Sequence, residues 1–177
     1  MKNIEAEVRS FLSKEEYEKL LDFFKENAEF QKEDFQETVY FDSKKDLRIQ
    51  KSDHFSKIWL KEGRMHDDCR EELEIGIKKD DFWKVEKLFL SLGYKARIRW
   101  KRKRVQFKWR DINVCLDFTK GFGYLIELEK MVSENEKEGE HKRLQKTLSE
   151  LGIKATSKEE LERRFNYYKE NWEKLIK

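Results

Sequence analysis

The sequence contains no proline, seven glycines, three histidines and two cysteines in 177 residues. Each shortage removes a class of protein. Without proline, a low-complexity stretch or a repeat of fixed period, nothing marks a linker, and one domain is expected over residues 1–177. Cys69 and Cys115 form no CxxC pair, which argues against a disulfide framework and a zinc site. No apolar leader and no long hydrophobic run is present, so secretion and a membrane span are not expected and the cytoplasm is. His54, His66 and His141 lack metal-ligand spacing and receive no role. Lys and Arg exceed Asp and Glu by only three charges, 40 against 37, so bulk charge points to neither nucleic acid nor membrane.

What the chain does have is charge of both signs, 44% of residues, with 13 Phe, 5 Trp and 6 Tyr to build a core. Helices are predicted where a Ser and a Glu three residues later can cap each other's backbone N–H groups. Ser13 and Glu16 open one over 14–27, with Tyr17, Leu20, Leu21 and Phe24 as its apolar stripe. Ser133 and Glu136 open a second, which runs to Leu151 and stops at Gly152. Ser157 and Glu160 open the last, with Leu161, Phe165, Tyr168, Trp172 and Leu175 at helical spacing. A further apolar helix spans about 81–92. The charged run from Lys137 to Lys146 reads as the wet face of a helix.

Between these helices the hydrophobic period falls to two. Strands are predicted at 3–11, 35–41, 46–51, 56–62, 69–78, 96–109, 112–119 and 123–131. In Ile4-Glu5-Ala6-Glu7-Val8-Arg9 the apolar residues share one face and the charged residues the other. One such segment describes any half-wet strand. The alternation returns in Cys69-Arg70-Glu71-Glu72-Leu73-Glu74-Ile75 and Leu125-Ile126-Glu127-Leu128-Glu129, and in shorter form around Arg48, Lys61, Asp117 and the Arg102, Arg104 pair. If the strands close into a barrel, the apolar faces pack outward beneath the helices and the charged faces line a shared bore. The expected fold class is therefore α+β, an eight-stranded, mainly antiparallel closed β-barrel with helices outside.

A dry bore so crowded with charge would be costly unless each ion were paired or bound a counter-ion. Carboxylates two residues apart on a strand stand about 7 Å apart on one wall, which suits a hard divalent cation, Mg²⁺ or Mn²⁺. Arginines and lysines opposite suit phosphate oxygens. A metal-bridged polyphosphate satisfies both demands.

The same residues carry a resemblance to a known family, the CYTH superfamily or triphosphate tunnel metalloenzymes, over most of the chain. Its opening ExExK signature is matched by Glu5-Ala6-Glu7-Val8-Arg9, with Arg for Lys. Tyr40-Phe41-Asp42 and Leu47-Arg48-Ile49-Gln50 resemble the next elements, with Gln50 in place of a second cation. Leu60-Lys61-Glu62-Gly63 resembles the Lys-Gly turn, Arg70-Glu71-Glu72-Leu73-Glu74 the RxExE strand, and Arg102-Lys103-Arg104-Val105-Gln106-Phe107 the KxRxxY strand. Asp117 falls in the Leu-Asp element, and Gly123 to Glu129 is similar to the closing ExE strand. Arg164-Phe165-Asn166-Tyr167-Tyr168 matches the C-terminal signature only loosely and carries no role.

The resemblance implies an enzyme acting on a triphosphate small molecule with Mg²⁺ or Mn²⁺. It implies a metal held by Glu5, Glu7, Glu127 and Glu129, with Glu72 and Asp117 nearby. It implies a triphosphate held by Arg9, Arg48, Lys61, Arg70, Arg102 and Arg104. Tyr40 and Lys61 map to the pair that positions water in the hydrolases.

Members of the family include inorganic triphosphatases, thiamine triphosphatases and class IV adenylyl cyclases. The cyclases resemble one another in a His-Phe element ahead of the ExExK strand, where this chain has Met1-Lys2-Asn3-Ile4, so hydrolysis of inorganic triphosphate is expected ahead of cyclisation. The main rival is single-stranded nucleic acid on the basic and aromatic run from Arg97 to Arg110. Strand geometry sends only half of those cations to any one face, which disfavours nucleic acid as the partner. A homodimer stays open.

Overall fold

A computed structural model describes residues 4–61 and 69–177, with the backbone alone for residues 69–72. Eight strands close into one barrel in the order β1-β5-β4-β3-β2-β6-β7-β8. They are β1 (Ile4–Leu12), β2 (Glu29–Phe41), β3 (Asp46–Lys51), β4 (Ser56–Lys61), β5 (Cys69–Ile77), β6 (Ala96–Trp109), β7 (Ile112–Thr119) and β8 (Gly123–Val132). Every pairing is antiparallel, including the β1–β5 and β1–β8 pairings that close the ring. Closure removes the exposed edges that an open sheet would leave.

Four helices lie outside: α1 (Lys14–Asn27), α2 (Phe82–Ser91), α3 (Lys137–Glu150) and α4 (Lys158–Leu175). The cap of α1 is the reciprocal box expected from its sequence, with Ser13 and Glu16 each accepting from the other's backbone N–H. α3 starts later than expected. The Ser133 hydroxyl donates to the Glu136 carboxylate instead of accepting from its N–H, so that stretch forms a turn and the helix begins at Lys137. β2 begins six residues earlier than its hydrophobic alternation suggests. Its polar first half is carried by pairing with β6, with a register shift between Phe30 and Lys32. No helix among the described residues is long and apolar enough to cross a membrane.

The apolar strand faces point outward, as the alternation requires. The largest core cluster lies between α1, α3 and the outer face of β1, β6, β7 and β8, where Phe24, Phe107, Leu116, Ile126, Leu128, Leu144 and Leu148 are fully buried. Side chains of this size contribute about 1.5–3 kcal/mol each on burial. A second cluster holds α2 against β2 and β3 through Val39, Phe41, Ile49 and Phe82. Arg99 reinforces it by bridging Glu37 of β2 and Glu86 of α2, both at 2.5 Å.

α4 closes one end of the barrel. Phe165 and Tyr168 pack with Ile98, Tyr40, Trp100 and Phe122, and the Tyr168 hydroxyl donates to the Arg99 carbonyl at 3.2 Å. The far end of the helix sits on the β7–β8 turn. Gly121, at φ +80°, is there because a Cβ would lie 2.5 Å from Leu175 Cβ, and the left-handed backbone is itself strained for other residues. Gly121→Ala is expected to lower stability by about 1–3 kcal/mol. Thermal melting gives the size of the loss, and faster amide exchange confined to the last turns of α4 would locate it.

Candidate functional site

Because the outward parities are apolar, the inward parities carry the charge. Glu5, Glu7 and Arg9 of β1, Arg48 and Gln50 of β3, Lys57, Trp59 and Lys61 of β4, Arg102 and Arg104 of β6, and Glu127 and Glu129 of β8 surround one cavity of about 320 Å³. Leu161 and Phe165 of α4 line its closed end.

The β1–β8 register sets Glu7 opposite Glu129 and Arg9 opposite Glu127. Opposed like charges destabilise a sheet unless a cation lies between them. Glu5 adds a third carboxylate, and one oxygen from each of Glu5, Glu7 and Glu129 lies within 4.8 Å of the others. Burial pushes the Glu129 carboxyl up to about 8; Arg104 opposes this, while Glu5 and Glu127 add to it. Glu129, its side chain 12% exposed, is thus a largely enclosed carboxylate short of positive charge. An all-oxygen donor set with a deficit of positive charge fits a hard divalent cation, and Glu5, Glu7 and Glu129 are the residues that could hold one.

Glu127 has the opposite character. Burial would push its carboxyl up, but Arg104, Arg9 and Arg102 outweigh burial and hold it well below the usual carboxylate range. Arg104 is the hub of this wall: it contacts Glu127, lies 3.5 Å from Glu129, and donates to Asp117 at 2.8 and 2.7 Å. Burial opposes the Arg104 charge, and Asp117 and Glu127 among its neighbours more than restore it. Asp117 also accepts from Arg102 at 2.9 Å. Expected near the metal group, Asp117 belongs instead to the guanidinium side of the bore, where both of its oxygens are taken by the two arginines.

Arg102 is held from its other side by Gln36, whose Oε1 accepts from Nε at 3.0 Å and Nη2 at 2.6 Å. The Gln36 amide is oriented in turn by the buried Asp34, which accepts from Nε2 at 3.0 Å. Gln50, standing where the resemblance leads one to expect a cation, donates to Thr38 at 3.0 Å. Arg9 pairs with Glu7, and Arg48 pairs with Asp46 while stacking on Tyr40 at 4.3 Å and Trp59 at 5.0 Å. Lys61 lies 3.5 Å from Glu5 and 4.6 Å from the Trp59 ring. Arg70 and Glu72 stand opposite Glu5 and Lys61 in backbone register, and their side chains lie outside the described residues, as do Glu62 and Gly63.

Sequence reasoning missed several bore residues. Lys57 pairs with Glu74 at 2.5 Å and lies 4.1 Å from the Trp59 ring. Its signal was present, since Lys57, Trp59 and Lys61 share one parity. Gln36 and Asp34 gave no such signal, because neutral or isolated polar residues on a strand do not stand out. The basic run of β6 divides as its parity requires: Arg102 and Arg104 face inward, whereas Arg99 and Lys103 pair outside with Glu37, Glu86 and Glu33.

Comparison with known proteins agrees with this architecture. Among curated proteins, the chain is 29% identical over 133 residues to MJ0240 of Methanocaldococcus jannaschii, a protein provisionally named an adenylate cyclase; the match covers 70% of this chain and 76% of that one. Among solved structures, a conserved hypothetical protein from Pyrococcus furiosus superposes with a TM-score of 0.75 at 25% identity, covering 88% of this chain and 93% of the other. The PH1012 protein of Pyrococcus horikoshii OT3 gives 0.71 at 27% identity, with the same coverage of both chains. The profile of the CYTH domain matches residues 3–161, which take in the whole barrel, α1 to α3 and the start of α4, and the chain belongs to the CYTH family.

Proposed function

We propose that this protein hydrolyses a triphosphate in its tunnel with Mg²⁺ or Mn²⁺, and that inorganic triphosphate is its preferred substrate. The observation that carries this reading is one small cavity lined both by a carboxylate group, Glu5, Glu7 and Glu129, and by cations, among them Arg48, Lys57, Lys61, Arg102 and Arg104. At about 320 Å³ the cavity is at the small end of ligand sites, which suits a bare polyphosphate better than a nucleotide.

A divalent cation on the carboxylate group would neutralise phosphate oxygens and hold the chain for in-line displacement. In this reading Arg102 and Arg104 grip the non-bridging oxygens by their guanidinium forks, and Arg48 and Lys57 extend the grip along the bore. Lys61, beside Glu5, positions the attacking water. Tyr40, proposed from the resemblance as its partner, supports the Arg48 guanidinium with its ring. The water oxygen bonds to the terminal phosphorus, the bridging P–O bond breaks, and phosphate and pyrophosphate leave.

The similarity to MJ0240 favours one other reading, cyclisation of ATP, in which the ribose 3′-hydroxyl replaces water. Incubation with inorganic triphosphate, thiamine triphosphate or ATP, each with Mg²⁺ or Mn²⁺, separates the two. Phosphate released fastest from inorganic triphosphate is the expected outcome. Cyclic AMP with stoichiometric pyrophosphate, and no phosphate from inorganic triphosphate, would establish the cyclase.

The raised carboxyl of Glu129 has a measurable consequence. Its folded state keeps a proton that the unfolded chain releases, so the metal-free fold loses stability as pH climbs from 4.5 towards about 8. A bound divalent cation must displace that proton. Metal affinity is therefore expected to climb by up to about tenfold per pH unit below this point and to level off above it. Metal titrations across a pH series test this, and an affinity flat over the window would remove Glu129 from the metal group.

A further inference from the structure

Cys115 lies on β7 with the bore-facing parity of Asp117, and its register partners are Glu127 and Gln106. It is fully buried, and among the described residues its thiol has no hydrogen-bond partner. Its Sγ lies within 4.8 Å of a carboxylate oxygen of Glu127 and of one from Glu129, which themselves meet the same limit. Glu129 therefore belongs to two donor sets. One is all oxygen, with Glu5 and Glu7; the other contains a soft sulfur.

Ligand softness separates the cations that such sets take. Mg²⁺ and Mn²⁺ prefer oxygen donors, whereas Zn²⁺ and its heavier congener Cd²⁺ gain from a thiolate. Metal–ligand distances of about 2.0–2.3 Å place the ligand atoms of a tetrahedral zinc site about 3.5 Å apart.

We propose that Cys115, Glu127 and Glu129 form an inhibitory site for thiophilic divalent cations, deeper in the wall than the oxygen site and exclusive with it through the shared Glu129. This rests on the acidic wall as the tunnel's metal side and not on hydrolysis. On binding, the Cys115 S–H bond breaks, a sulfur–metal bond forms, and the proton passes to the buffer. A fourth position is left for water or a phosphate oxygen. Zinc or cadmium held there would remove Glu129 from the hard-cation group and stop metal-dependent chemistry.

The test titrates the metal-free full chain with Cd²⁺ and follows the thiolate-to-cadmium charge-transfer absorption. The expected result is a band that saturates at one cadmium per chain, vanishes in Cys115→Ser and persists in Cys69→Ser, while excess Mg²⁺ raises the midpoint. Glu129→Gln keeps the thiol and should raise the midpoint by roughly tenfold or more, which covers the case in which Cys115→Ser fails to fold. A full band in Cys115→Ser, or a midpoint unmoved by both Mg²⁺ and Glu129→Gln, would overturn the site. Because the band needs no turnover, a protein inactive on every triphosphate could still show it, and an active one could lack it.

Discussion

Glu129→Gln is expected to abolish divalent-dependent phosphate release and to leave the fold as stable as the wild type or more so. Both effects come from one electrostatic fact. Glu129 is largely enclosed beside Glu5 and Glu127, its ionised form is disfavoured, and a neutral amide of the same shape removes that repulsion together with the metal ligand. Glu127→Gln should also lose turnover, but with a fall in stability, because Glu127 is ionised and paired with Arg104. Turnover assays paired with thermal melts of the two variants decide this. Equal destabilisation by both would mean that the two carboxylates share one environment, contrary to the geometry.

The largest stability effect is expected at Arg104. Arg104→Ala strips counter-charge from Asp117, Glu127 and Glu129 at once, and leaving buried charges unpaired costs about 3–5 kcal/mol. Arg104→Lys keeps the charge but cannot reproduce the two hydrogen bonds to Asp117, and should recover part of the loss. Arg102→Ala is milder for the fold, since Asp117 keeps Arg104, and its effect should appear in the ligand. Triphosphate binding is expected to weaken by about 1.5–3 kcal/mol, the scale of a hydrogen bond to a charged group. Denaturant melts and calorimetric titration separate the two effects. A basic surface for nucleic acid would behave differently, with single-strand binding lost and triphosphate binding kept.

The inward and outward faces of the barrel were legible because parity is local. Ile4, Ala6 and Val8 alternate with Glu5, Glu7 and Arg9 within one short segment, and nothing distant can change which face each takes. The same holds for β6, where parity alone separates Arg102 and Arg104 from Arg99 and Lys103. Relations across the bore were not legible. That Asp117 faces two arginines depends on the register of the β6–β7 hairpin, and that Glu129 faces Glu7 depends on the β1–β8 register, which is set by ring closure between strands far apart in sequence. Trp59 escaped notice for a different reason. An aromatic on the charged face of a strand contradicts the pattern, and its place becomes intelligible only once Arg48, Lys57 and Lys61 are seen around its ring. The capping of the tunnel by α4 was hidden likewise, since Phe165 and Tyr168 read as core residues of any amphipathic helix. Local chemistry can also mislead: Ser133 and Glu136 do meet, yet as a turn, because the hydroxyl donates where a cap would accept.

In the proposed reading, one tunnel holds a polyphosphate by a metal on its carboxylates and by the cations that line it. Calorimetric titration of inorganic triphosphate into the metal-free protein, with and without Mn²⁺, tests it most directly. One molecule is expected to bind per chain, with affinity raised by Mn²⁺ in the wild type and indifferent to Mn²⁺ in Glu129→Gln. Absence of binding, or binding that ignores Mn²⁺ in the wild type and survives Arg102→Ala unchanged, would contradict it.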